Sequence, residues 1–135
     1  MKDKLFKKEY TALLEGVLEN SSGTINVPIT RRAGSIIERE VSDLGETAIS
    51  HYEVIKKYED YTLVKFLLET GRTHQLRVHS KYIEHPILGD TLYGNGSSLI
   101  CRQALHASKV SFVHPISKEN VSYVSPIPDD IEKLI

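Results

Sequence analysis

The stretch YTLVKFLLETGRTHQLRVH, residues 61–79, changes its hydrophobic period half-way, and that change decides what kind of fold the chain can adopt. Through 61–70, Leu63 and Leu67 alternate with Val64, Phe66 and Leu68, so both faces of an extended segment are apolar. This predicts a central strand. Beyond Gly71, Leu76, His79 and Ile83 recur at i, i+3 and i+7, and Thr73 stands where an N-cap hydroxyl is wanted. The spacing predicts a helix over 74–84, ended by His85-Pro86.

Outward from this junction the punctuation is dense. Residues 48–58 form a second strand candidate, separated from 61–70 only by Glu59-Asp60, which is a hairpin arrangement. Residues 10–18 predict a strand closed by Asn20-Ser21-Ser22-Gly23, and 24–29 predict another that leads into Arg31-Arg32. Residues 33–47 read as a loop with a brief extended piece near Val41, and ILGDTLYGNGSS, residues 87–98, as a glycine-punctuated loop. A strand pair over 105–113 and 121–124, turning at 117–120, and a short closing helix over 128–134 complete the chain. The sum is an α+β fold, a mainly antiparallel mixed sheet with a few helices. At 135 residues it is expected to be a single domain, 1–135.

Composition agrees and excludes several classes. Val, Ile and Thr number 31 against 19 Ala and Leu, which argues against a helical bundle. The single cysteine, Cys101, can form no internal disulfide and lacks the paired spacing of a zinc site, which suits a reducing, cytoplasmic setting. No apolar run approaches membrane length, so no membrane partner is expected. The net charge of −1 argues against a general nucleic-acid coat, yet residues 65–109 carry 6 basic and 3 acidic side chains and four of the six histidines. A local basic site on a neutral body suits an enzyme that grips a polyanion at one place.

The densest polar cluster, GRTHQLRVH at residues 71–79, lies at the strand-to-helix junction, where a rigid strand delivers side chains to a sheet edge. Thr73 and Arg77, four apart, share a helix face away from Leu76 and His79, which directs Arg77 at a site. Its planar, bidentate guanidinium suits a carboxylate or phosphate, although the spacing alone also fits a surface arginine paired with a nearby acid. His74, His79, His85 and Asp90 are spaced by 5, 6 and 5 residues, with no i, i+4 histidine pair, and no metal site is expected. A G-x-S-x-G nucleophile elbow is absent, and the Gly94-Asn95-Gly96 region follows no strand as a nucleotide-binding loop would.

GRTHQLRVH followed by HPILGDTLYG, then RQALHA at 102–107 and PIPDD near the end, resembles the C-terminal part of the catalytic domain of the RluA-type pseudouridine synthases. KKEYTALLEG, GTINVPITR and TAISHYEVI resemble that family's upstream strands, so the likeness spans residues 7–130. The resemblance implies isomerisation of uridine to pseudouridine in ribosomal or transfer RNA without metal or organic cofactor: the uracil of a flipped-out nucleotide is detached, turned and rejoined through a ring carbon. It implies catalytic roles for Arg77, which holds the reacting carboxylate, and Tyr10, which stacks on the uracil and helps remove a ring proton. It places Arg72, His74 and Gln75 at the substrate, whereas Gly89, Asp90, Tyr93 and Gly94 read as scaffold. The family's nucleophilic aspartate stands in a His-Arg-Leu-Asp block upstream of the tyrosine strand, and no such block occurs here. The expectations that follow are a truncated domain inactive alone, an Arg77 facing an open cleft without a carboxylate of this chain, and a homodimer or pairing with a missing N-terminal part through an exposed edge. The alternatives are a non-catalytic RNA-binding or assembly remnant of the same fold and an unrelated β-rich interaction domain.

Overall fold

The computed structural model describes residues 7–31, 33, 38–113 and 116–135. Arg32 and residues 34–37 of the expected 33–47 loop lie outside the described residues. The expected hairpin is present: strand β5, Ile49–Lys57, pairs antiparallel with β6, Tyr61–Leu68, with a register shift between Val54 and Lys56. On the other side of β6 lies β1, Lys7–Glu15, so the segment expected to be central is paired along both edges. Beyond β1 come β7, Leu105–Val113, and β8, Asn120–Val124, while β2, Ser22–Asn26, flanks β5. The six-stranded order is β2-β5-β6-β1-β7-β8, and every pairing among the described strands is antiparallel.

The alternation along β6 sets the core. Thr62, Val64, Phe66 and Leu68 are buried and lie beside Leu14, Ala12, Tyr10 and Lys8 of β1 in the register of the pair. Burying Phe66 alone contributes about 2–3 kcal/mol relative to leaving it in water. Leu76 of helix α1, Gln75–Tyr82, joins this core. The short helix α2, Asp129–Glu132, buries Ile131 in it, and the Tyr61 hydroxyl donates to Leu134 O at 2.6 Å just beyond that helix. Edge strand β8 leaves Tyr123 and Val124 mostly exposed.

Three expectations change. Residues 24–29 are not one strand: Pro28 can donate no ladder hydrogen bond, the chain leaves the sheet, and β3, Ile29–Arg31, pairs instead with β4, Arg39–Val41, as a separate ribbon. Helix α1 starts at Gln75, and Thr73 does not cap it; His74, in the left-handed conformation at φ 56, is its N-cap, with no side-chain cap bond. Its C-terminus closes at Tyr82 with a Schellman pattern, Glu84 at φ 67, His85 N donating to Ser80 O and Glu84 N to Lys81 O, before Pro86.

Candidate functional site

Strand β1 and the turn between β6 and α1 form two walls of a cavity of about 390 Å³. Tyr10 and Lys8, two apart on β1, share a face of the sheet, so their side chains enter the same space. Arg72, His74 and Arg77 come from the opposite wall, and Gln103 and Leu105 from the start of β7. The five residues named from the sequence, Tyr10, Arg72, His74, Gln75 and Arg77, therefore line one cavity. Burial raises the pKa of the Tyr10 phenol, which stays protonated at neutral pH.

Arg77 is not free of a carboxylate from its own chain, as the sequence led us to expect. Its Nε donates to Asp90 Oδ2 and its Nη2 to Asp90 Oδ1, both at 2.9 Å. Asp90 is fully buried, and Oδ1 also accepts the amides of Leu92 at 3.0 Å and Tyr93 at 3.1 Å, an Asx-type turn. Burial opposes ionisation of Asp90, but the Arg77 hydrogen bond, the Tyr93 amide and the arginine charge outweigh it and hold the carboxyl below its ordinary value. The pair occupies one edge of the guanidinium. Nη1 and the second hydrogen of Nη2 have no acceptor among the described residues, and the Tyr93 ring lies 5.0 Å from the guanidinium carbon. Asp90 and Tyr93 thus fix the arginine from behind and leave an outer edge for an anion.

The neighbouring residues carry that rigidity outward. The Tyr93 hydroxyl accepts from Arg39 N at 2.9 Å and lies 2.7 Å from His74 Nδ1. With the Tyr93 proton directed at Nδ1, His74 holds its own proton on Nε2; burial and the charges of Arg77 and Arg39 lower its pKa and favour this neutral form. Gln75 is 2 % exposed and saturated: Nε2 donates to Ser50 Oγ at 2.9 Å and Ile49 O at 3.0 Å, and Oε1 accepts from Thr70 Oγ1 at 2.7 Å and Arg72 N at 3.0 Å. Arg72 is held by Thr47 O at 2.7 Å and Glu46 at 2.9 Å. Behind Gln75, His79 Nε2 must donate to Val27 O at 3.0 Å, which leaves Nδ1 to accept from the Ser50 hydroxyl at 2.9 Å. Each of the four groups once considered as a metal set therefore has another partner, His85 included, through Glu15 O at 2.8 Å.

Lys8 was not named from the sequence, although its i, i+2 spacing to Tyr10 is the signal that puts both on one strand face; Gln103 was not legible, because its place depends on how β7 pairs with β1. Asp90 was read from the sequence as scaffold and as a member of the group set aside as a metal site, not as the partner of Arg77. Its proximity to Arg77 arises because Leu88 N bonds Leu13 O and Ala104 N bonds Leu88 O, each at 2.8 Å, which threads residues 87–90 beside the end of β1. Gly89, at φ 83, has no room for a Cβ against Arg102 O and Ile100, and this close approach sets Asp90 in position.

Comparison with known proteins gives this geometry a context. The chain is 46 % identical over 134 residues to the uncharacterized RNA pseudouridine synthase YjbO of Bacillus subtilis, covering 99 % of this chain and 47 % of that protein. It is 36 % identical over 141 residues to ribosomal large subunit pseudouridine synthase D of Vibrio cholerae, covering 94 % and 43 %. The chain spans about half the length of these relatives. Among solved structures, human RNA pseudouridylate synthase domain containing 1 superposes with a TM-score of 0.77 at 29 % identity, over 90 % of this chain and 55 % of that one. The family model for RNA pseudouridylate synthase matches residues 1–82, which include Tyr10 and the whole segment from β6 through Arg77. By sequence, fold and the shared motif, the chain belongs to the RNA pseudouridylate synthase family, in its RluA-type branch.

Proposed function

We propose that this chain forms the tyrosine- and arginine-bearing walls of a site that isomerises uridine to pseudouridine in RNA, the Vibrio relative being named for the ribosomal large subunit. The observation that carries the reading is the single cavity shared by Tyr10 and Arg77, with Arg77 fixed by buried Asp90. Its volume is within the range of small-ligand sites, and a flipped-out uridine is the occupant the family membership calls for.

The geometry supports the following roles. Tyr10, protonated and half-buried, stacks on the uracil. The open edge of Arg77 holds the reacting carboxylate while the bond from the ribose to the ring nitrogen breaks, the uracil turns, and the bond to a ring carbon forms; that carbon then gives up its hydrogen as a proton and the freed ring nitrogen takes one up. Asp90 is held ionised behind Arg77 and serves as its positioning residue; Gln75, with no hydrogen-bonding capacity left, positions the 70–75 turn. His74, through Nε2–H, and Arg72 face the substrate. None of the six aspartates stands in a His-Arg-Leu-Asp block, so this reading assigns the reacting carboxylate to a segment outside these 135 residues.

The test is incubation with unmodified ribosomal and transfer RNA followed by pseudouridine mapping. The chain alone is expected to leave RNA unmodified, because covalent catalysis without its nucleophile loses most of its rate. Addition of a protein segment carrying the His-Arg-Leu-Asp block is expected to restore modification, and Arg77→Ala to abolish it again. Activity of the chain alone that disappears in Asp90→Ala would make Asp90 the nucleophile and overturn these roles. Supplemented chain that binds RNA yet never modifies it would favour a non-catalytic binding module.

A further inference from the structure

The cations of this cavity are not equivalent. Arg77 is neutralised by Asp90 and Arg72 by Glu46, each at 2.9 Å. Lys8 lines the same cavity, is half-buried, and has no hydrogen-bond or ion-pair partner among the described residues. No carboxylate lines this space. Lys8 thus carries the cavity's one cation without a counter-charge among the described residues, and an anion that enters there gains a charge-assisted partner.

Position identifies which anion. Lys8 and Tyr10 lie on one face of β1, two residues and so about 7 Å apart along the strand. That separation is of the order of the distance from a nucleobase to the phosphate of its own nucleotide. With the uracil on Tyr10, a neighbouring phosphate falls beside Lys8, whose flexible stem and point charge suit a phosphodiester without fixed orientation. We propose that Lys8 anchors a phosphate flanking the target uridine, acting as a binding and positioning residue that sets the depth at which the nucleotide enters the cavity. This inference rests on the uridine reading of the cavity.

The experiment is a titration of the full 135-residue chain, followed by amide NMR, with uridine, uridine 5′-monophosphate and uridine 3′-monophosphate, on wild type, Lys8→Met and Lys8→Arg. One of the monophosphates is expected to bind about tenfold more tightly than uridine to wild type, the effect of one charge-assisted hydrogen bond at a partly exposed site. In Lys8→Met that preference should fall below about twofold, and Lys8→Arg should recover most of it. A preference that survives in Lys8→Met, or a variant that weakens uridine and monophosphate equally, overturns the proposal. If Lys8→Met does not fold, Lys8→Gln is titrated in its place and judged by the same ratio. Uridine that leaves the Leu76 and Arg77 amides unmoved, with a monophosphate response that still depends on Lys8, would remove the uracil pocket and keep the anion site. No response to any of the three ligands overturns both.

Discussion

Replacing Asp90 by Asn removes a negative charge from a fully buried site while keeping the shape of the side chain. Breaking a buried ion pair by neutralising one partner costs about 3–5 kcal/mol when the other charge is left without solvent. Two features reduce that figure. The Arg77 side chain is 16 % exposed and regains some hydration, and the amide oxygen of Asn can still accept from Leu92 and Tyr93. We therefore expect a loss of about 2–3 kcal/mol at pH 7, which for a domain of this size lowers Tm by roughly 6–12 °C. Asp90→Ala also strands the two amides and should lose about 4–5 kcal/mol, a large part of an ordinary domain's total stability. The chain has seven tyrosines and no tryptophan, so urea unfolding is best followed by circular dichroism with tyrosine fluorescence as the second probe. The pH dependence has a defined sign. The folded pKa of Asp90 lies below the ordinary 3.8, so its contribution is complete above that value and is lost as pH falls through the folded pKa. The gap between wild type and Asp90→Asn should be constant from pH 7 to about 5 and close below about 4. A gap under about 1 kcal/mol at pH 7, or one that persists undiminished at pH 2, would refute the claim that this ion pair holds the site together.

Other substitutions probe the elements around it. His79→Leu leaves the Ser50 hydroxyl and Val27 carbonyl without their ring partner and should cost about 2–4 kcal/mol in urea unfolding. Burial depresses the folded pKa of His79 below 6.5, so wild type loses stability as pH falls through and below that value, and the variant should lose less between pH 7.5 and 5.5. Gly89→Ala combines a left-handed φ of 83 with contact against Arg102 O, and a loss above about 2 kcal/mol is expected, with displaced Arg77 and Tyr93 side-chain resonances. Phe66→Ala should cost about 3–5 kcal/mol by thermal unfolding, since the side chain is fully buried in the main core.

Local signals in the sequence carried much of this structure, and their failures have specific causes. The β5–β6 hairpin and the β7–β8 pair were legible because alternation and turn residues are local properties, and Tyr10 and Arg77 were legible as parts of a long motif. Thr73 failed as a cap because the saturated Gln75 amide and the left-handed His74 already order the turn, an arrangement that depends on Ser50 and Ile49 of β5. The break at Pro28 was open to inspection, yet Val27 and Ile29 continue an apolar pattern that masks it. The Arg77–Asp90 pair was hidden because only tertiary threading of 87–90 beside β1 brings the two together.

The position of β1 within the sheet also constrains how the molecule is made. Tyr10 pairs with Phe66 on one side and Ala107 on the other, so the strand needs partners remote from it in the chain along both of its edges. On a ribosome it emerges well before either and must remain unpaired, while the β5–β6 hairpin can close locally as soon as its own residues are clear. Such non-local pairing carries a large loop-closure entropy before any contact compensates it, and it places folding toward the slow end of small domains, milliseconds to seconds. The cavity, which draws Tyr10 from β1, Arg77 from α1 and Leu105 from β7, is thus completed only after synthesis has passed Leu105 and β7 can pair with β1.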